Sequence, residues 1–478
     1  MAQRTRRVSP LNSPLASRRQ TKRKSNDCKN CLLHPVRFLE SIPISAILFS
    51  VFLFCLWIIS TRDLVYIDFP AYVIQVDQFL SGDRNYYDFT TPQGPLVYPA
   101  GFLYFFTPIM YLMNGGTVIW IGQLIFVGLY LATAFLSIKN GVLAGVPKWI
   151  LYAVFLSPRA LSIYILRLFN DGPTALLSQL CVFFFLKRNW KFGCVFLSLA
   201  VSMKMNALLY APGVAFLLFK NLSINSALSH IVFICGGIQI LLGYPFLVTY
   251  PLAYIHRAFE LTRICDIAGT VNWKFLPFEV FNSRIFHVSL LIGTVLTYYC
   301  FWTGVWSKKR NVDQKSSVFS ISSPRNTETI SPLAASDEDY FQETKAILMI
   351  LYSSNFIGVV FARSINTQYY VWYSFTLPVL VYFSKWTRTE FPSFESRSLT
   401  SDKNTLGTLP SDLLDWILRL LHLFGIEYLY NSHRSDGEMY PKMSVLFQVA
   451  HISLLYGVYR GLSELQSPKL VRGFFSGR

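Results

Sequence analysis

Charge is scarce in this 478-residue chain. Asp, Glu, Lys and Arg make up 14% of it, where soluble domains carry about 25%. With 53% hydrophobic residues and a mean hydropathy of +0.38, too little polar surface exists to keep an ordinary globule in water. The 8 Cys and 7 His are few and scattered. No H-E-x-x-H occurs, so no metal site is expected. The phosphate-cradling patterns G-x-x-x-x-G-K-[ST] and G-x-G-x-x-G are missing too, and with them the usual nucleotide sites. Strict apolar/polar alternation is absent, which argues against a β-barrel. What remains is an all-α polytopic membrane protein.

Apolar runs are abundant. A span needs about 20 apolar residues, and candidates lie at 39–60, 95–113, 117–138, 148–166, 172–186, 193–219, 227–249, 285–306, 346–362, 369–384, 409–430 and 443–459. That is about 10–12 transmembrane helices, allowing for short and broken runs. Four polar stretches punctuate them: 61–94 with five Asp, the mixed 250–284, and the Ser/Thr-rich 307–345 and 385–408. The implied organisation is a tail (1–38), a transmembrane module (39–306), a linker (307–345), a second module (346–460) and a tail (461–478).

Net charge is +17. Its distribution indicates orientation rather than nucleic-acid binding, because no nucleic-acid-binding fold accompanies it. Residues 1–37 hold ten Lys or Arg and one acid, Asp27. Basic flanks stay cytosolic, so the N-terminus is expected inside and loops 61–94 and 250–284 outside. Lys308-Lys309-Arg310 then falls back inside, as does the basic C-terminus, and the tails face anionic membrane lipid. Simple alternation would put Lys187, Arg188 and Lys191 outside. The conflict vanishes if one segment within 95–138 is interfacial or re-entrant and 193–219 is a broken pair of helices around Lys204-Met205-Asn206.

Three groups of residues can carry chemistry. Asp68, among aromatics just after the first span, is placed to act as a general base; Asp88 is a second acid in the same loop. Arg167, Asn170, Asp171, Lys204, Asn206 and Arg363 interrupt apolar sequence, where charge costs a few kcal/mol and marks a functional site by default. Ion pairing between helices, as of Asp171 with Lys204, is the structural alternative. Arg257, Arg263 and Lys274 in loop 250–284 suit a phosphate-bearing lipid.

These residues fall in motifs with a known likeness. Ile67-Asp68, the run Gly94-Pro95-Leu96-Val97-Tyr98-Pro99-Ala100-Gly101, Arg167-Leu168-Phe169-Asn170-Asp171, Met203-Lys204-Met205-Asn206, Arg257-Ala258-Phe259-Glu260, Val271-Asn272-Trp273-Lys274, Phe361-Ala362-Arg363-Ser364, Gln368-Tyr369-Tyr370-Val371-Trp372 and Glu427-Tyr428 occur in this order. Over about residues 60 to 435 the chain resembles the dolichyl-phosphate-mannose-dependent α-1,3-mannosyltransferases of the endoplasmic reticulum. The resemblance implies a GT-C glycosyltransferase fold with a lumenal active-site loop. It also implies a dolichyl-phosphate-mannose donor and a pentamannosyl dolichyl-diphosphate oligosaccharide acceptor, with no cofactor. Asp68 would be the catalytic base, and Arg257, Arg263, Lys274, Arg363 and Lys204 the candidates for the donor phosphate. Asp88, Arg167, Asn170, Asp171 and Asn206 would serve the acceptor or the structure. The chain departs from the family's habit at Thr90-Thr91-Pro92-Gln93, at Lys274 and at Asn366. Other readings are a transferase of the same fold with a different linkage, a lipid transporter, or a non-catalytic scaffold; no internal symmetry of the transporter kind is visible.

The charge asymmetry predicts that single cysteines placed in 1–37 and 307–345 label from the cytosolic side and those in 61–94 from the opposite side. Labelling of 307–345 from the far side would invert the topology.

Overall fold

A computed structural model of the chain describes residues 38–260, 267–307, 332–387, 411–432 and 440–466. The basic tail, Arg263, Lys308-Lys309-Arg310, much of both Ser/Thr-rich linkers and the last residues of the C-terminal tail lie outside them. The regular structure of the described residues is helical, apart from a two-stranded hairpin pairing Thr90–Thr91 with Gly94–Pro95 and an isolated bridge between Thr270 and Asn366. Lipid offers the backbone no hydrogen-bond partners, so each crossing must close its own.

Among the described residues, four helices are long and apolar enough to cross a membrane: Ile44–Thr61, Ile119–Leu143, Ile224–Leu247 and Arg284–Trp306. Half of the Ile119–Leu143 window is buried, against 11–17% for the other three. Ile119–Leu143 is therefore a core helix, while the others present exposed apolar side chains such as Phe233, Leu241 and Ile285 to lipid. Some other apolar runs are interrupted, while Pro332–Val360, Ser411–Asn431 and Pro441–Gln466 are continuous. The 148–166 run divides into Lys148–Leu151, a 3-10 turn Tyr152–Leu156 and Pro158–Ile165. Pro158 opens the last piece, and the Ser157 hydroxyl caps it by accepting from the Ala160 N–H (3.0 Å).

Helix Gly101–Leu112, within the predicted 95–113 span, is short: its 12 residues cover about 18 Å, against the ~30 Å hydrocarbon core. Gly101 lies against Ser202, two residues before Lys204, while Met113 lies against Gly122, which also faces Leu168. The 193–219 run is broken in two, as expected. Trp190–Met203 stops at Lys204, which is extended (φ −160°, ψ 130°), and the chain resumes as the 3-10 turn Met205–Tyr210 and helix Ala211–Asn221.

The Arg188 guanidinium pairs with Glu343 (2.9 Å), donates to the Thr344 hydroxyl (2.8 Å) and lies over the Tyr340 ring (3.9 Å). Lys187–Lys191 thus shares an end of the bundle with the start of helix Pro332–Val360. Glu40 accepts from the Trp149 N–H (3.2 Å), Trp149 packs on Trp416, and Lys385 pairs with Glu464.

Two predicted boundaries change. Loop 61–94 contains a 12-residue helix, Phe69–Leu80, whose buried side carries Phe69, Tyr72, Gln75 and Val76; its one acid, Asp77, is exposed. The predicted 307–345 linker is shortened by Pro332–Val360, where Pro332 sits at a favoured first helical position.

The contact between Gly101 and Ser202 is tight: a Cβ on Gly101 would lie 2.6 Å from the Ser202 Cβ and 2.8 Å from its backbone oxygen. Gly101→Val should destabilise the protein by about 1–3 kcal/mol, read as a lower thermal midpoint of the purified protein. Ser202→Gly should recover part of it. A wild-type midpoint for Gly101→Val would refute the close packing of these two helices.

Candidate active site

The helix break at Lys204 turns a lysine into the bundle beside Asp171, which opens helix Asp171–Leu186. The ammonium donates to both Asp171 oxygens (2.8 and 2.9 Å) and to the Asn170 side-chain oxygen (3.3 Å). That engages three acceptors for three donors. The pair is almost closed to solvent, with side chains 10% and 0% exposed. The Trp372 indole N–H donates to Asp171 as well (2.6 Å). Tyr369 stacks on Trp372 with centroids 4.0 Å apart, and the ammonium lies 5.1 Å from the Tyr369 centroid and 5.6 Å from that of Tyr98.

Asp68 reaches this cluster through the helix it begins. It occupies the cap position of Phe69–Leu80 without using its side chain as a cap, and it is half-buried. One turn on, the Tyr72 hydroxyl donates to the Asn170 side-chain oxygen (3.3 Å). Burial holds the Tyr72 phenol well above its ordinary range, and Tyr98, Asp68 and Asp171 raise it further. Asp68 and Asp171 both raise this phenol, and it stays protonated. The two acids differ in access: Asp171 is sealed beneath Lys204 and Trp372, while Asp68 stands at the cluster's edge.

The turn before Asp171 is itself constrained. Leu168 takes a left-handed conformation (φ 51°), unfavourable for a branched residue. Its neighbour Leu166 accepts from the Val65 N–H (2.7 Å). Asn206, in the 3-10 turn after Lys204, lines a narrow cavity with Asp171, Thr174, Ser178, Gln179 and Thr376. Its side-chain oxygen has no hydrogen-bond partner.

Arg363 and Lys274 lie on a second assembly, a strap between residues 270–274 and 362–366. The Val271 N–H donates to the Ile365 oxygen (2.7 Å) and the Ile365 N–H to the Asn272 side chain (2.7 Å). Asn272 and Trp273 side chains both donate to the Ala362 oxygen (2.7 and 3.0 Å). The Lys274 ammonium is held by the Ile267 and Ala268 carbonyls (2.7 and 3.1 Å). Arg257 pairs loosely with Glu260 (3.5 Å) and lies over the Tyr87 ring (5.5 Å), while its Nε has no partner. Arg167 donates to Ser162 (3.1 Å), and Asp88 is exposed. Among the described residues no group of His, Cys, Asp or Glu could hold a metal ion.

The structure thus unites Asn170, Asp171 and Lys204, with Asp68 one helical turn away through Tyr72. It leaves Arg167 and Asp88 outside the hydrogen-bonded cluster. Sequence reasoning did not single out Tyr72, Tyr98, Tyr369 or Trp372 as site residues. Their one signal was membership of the same motifs as the charged residues. Ser157 and Tyr370 also converge on a missed acid, Glu427 (2.8 and 3.3 Å), which ties helix Ser411–Asn431 to both segments flanking the cluster.

Comparison with known proteins agrees with this arrangement of motifs. The family model described as ALG3 protein matches residues 45–394. The chain is 36% identical over 383 residues to a protein of Mus musculus (80% of this chain, 79% of the relative). It is 34% identical over 407 residues to one of Homo sapiens (85% and 83%), and 35% over 401 residues to one of Arabidopsis thaliana (82% of each). All three relatives are named Dol-P-Man:Man(5)GlcNAc(2)-PP-Dol alpha-1,3-mannosyltransferase. No solved structure matches. With the family model covering well over half of its length, the chain belongs to the ALG3 protein family.

Proposed function

We propose that this protein is the mannosyltransferase its relatives are named for, moving mannose from dolichyl-phosphate-mannose to Man(5)GlcNAc(2)-PP-dolichol in α-1,3 linkage. The observation that carries the mechanism is the half-buried Asp68 at the edge of a polar cluster whose other acid, Asp171, is fully engaged. The donor is a β-linked mannosyl phosphate and the product is α-linked, so the anomeric carbon inverts in one displacement. The acceptor 3-hydroxyl attacks that carbon and a new C–O bond forms. The bond to phosphate breaks with its electron pair going to dolichyl phosphate, and the hydroxyl proton passes to Asp68. The leaving group is a phosphate anion and calls for cations rather than an acid.

Lys204 is a poor candidate for that cation, because its three donors are spent on Asp171 and Asn170. Arg257, Arg363 and Lys274 are better placed, on segments next to the cluster, and Arg263 joins them on sequence grounds alone. Asn206, facing the cavity behind Asp171, is read as structural. The protein is placed in the endoplasmic reticulum membrane, its cluster end towards the lumen and its N-terminus in the cytosol. This reading rests on the basic tail and the shared end of Lys187–Lys191 and Glu343. Membrane lipids surround the peripheral helices, and no nucleic acid takes part.

Asp68→Asn should lower turnover by about a hundred- to ten-thousand-fold and leave donor binding intact. Purified protein, synthetic donor and a lipid-linked pentamannosyl acceptor give both quantities. Turnover within a few-fold of wild type would remove Asp68 as the base.

Charge removal at the phosphate site should act on the donor instead. Arg257→Gln, Arg363→Gln or Lys274→Gln, at whichever position contacts the phosphate, should cost about 1.5–3 kcal/mol, or roughly 10- to 150-fold in donor kcat/KM. Wild-type kinetics in all three would move the phosphate elsewhere.

A further inference from the structure

The turn at residues 166–170 touches the chain on both sides of Asp68. Before it, the Val65 N–H donates to the Leu166 oxygen (2.7 Å). After it, the Tyr72 hydroxyl donates to the Asn170 side-chain oxygen (3.3 Å). Arg62 to Ile67 form no helix or strand, and Val65, Tyr66 and Ile67 are exposed. The Tyr72 N–H donates to the Asp68 carbonyl (3.1 Å), so the two residues share the first helical turn.

We propose that Tyr72 and Asn170 are positioning residues for Asp68, with the Asn170 oxygen as the fixed point from which the base is aimed. The proposal rests on Asp68 being the base. The buried Tyr72 ring packs against Phe102 and Phe106, each 4.9 Å away, which sets its depth. Its hydroxyl contact sets its rotation. The Asn170 oxygen is held in turn by the Lys204 ammonium (3.3 Å), and Lys204 is clamped by Asp171. The Asn170 amide is turned so that its oxygen meets both donors, although its buried nitrogen then has no partner. The reverse orientation would set NH2 against an ammonium and a hydroxyl donor. A rigid chain thus runs from Trp372 through Asp171, Lys204, Asn170 and Tyr72 to the turn that starts with Asp68. General-base transfer requires the carboxylate within hydrogen-bond reach of the acceptor hydroxyl, and small misplacements there are expensive.

The test compares Tyr72→Phe, Asn170→Ala and their combination with wild type and Asp68→Asn, all as full-length protein. Tyr72→Phe removes one oxygen and keeps the ring packing. Each single variant should lower kcat about three- to tenfold, as loss of one hydrogen bond does, with KM for donor and acceptor within twofold. The double variant should be no slower than the slower single, because both break one tether. Unchanged kcat in Tyr72→Phe, a loss that falls on KM, or effects that multiply in the double variant would each overturn the proposal. If Asn170→Ala does not fold, the kcat and KM of Tyr72→Phe decide alone. If Asp68→Asn stays active, the base assignment has failed. If Asp68→Asn is inactive and Tyr72→Phe is normal, only the tether has.

Discussion

A lysine and an aspartate set among apolar helices can remain charged only if each answers the other, and this bundle is arranged around that constraint. Removing either partner from the Lys204–Asp171 pair would leave a buried charge alone, at about 3–5 kcal/mol. The pair also uses backbone to form. Helix Trp190–Met203 must stop so that Lys204 can turn inward, and Asp171 must stand at a helix start, where a carboxylate suits the helix dipole. Trp372 and Asn170 then occupy the remaining lone pairs and hydrogens. Segments from the first and second transmembrane modules are thereby locked to one another at one end of the molecule.

Around that pair the two acids divide by access rather than by chemistry. Asp171 is saturated with donors and serves as a fixed negative charge. Asp68 has aromatic neighbours in Tyr72 and Tyr98 and is only half-buried. The strap of residues 270–274 and 362–366 runs into Tyr369 and Trp372, so the segments that carry the cations are mechanically continuous with the clamp on Asp171.

Much of this was legible beforehand because membrane sequences are so constrained. The apolar runs pointed to the helices, and the charges of Lys187–Lys191 pointed to a break within 193–219. The structure has that break at Lys204. Asp171 with Lys204 was readable as an ion pair, since two opposite charges in apolar sequence have few other choices. The helix Phe69–Leu80 was not readable: the acids of 61–94 suggested a polar loop, and its buried stripe of Phe69, Tyr72 and Val76 becomes meaningful only against Phe102 and Phe106. Nor could local pattern reveal that Trp372 bonds Asp171 or that Glu427 gathers Ser157 and Tyr370, because those partners are brought together only by the packed bundle.

Helix Gly101–Leu112 touches both halves of the cluster. Its first residue packs on Ser202, two residues before Lys204, and its Phe102 and Phe106 rings pack on Tyr72, one turn after Asp68. A displacement of this one helix would therefore reach Lys204 and the Asp68 turn together.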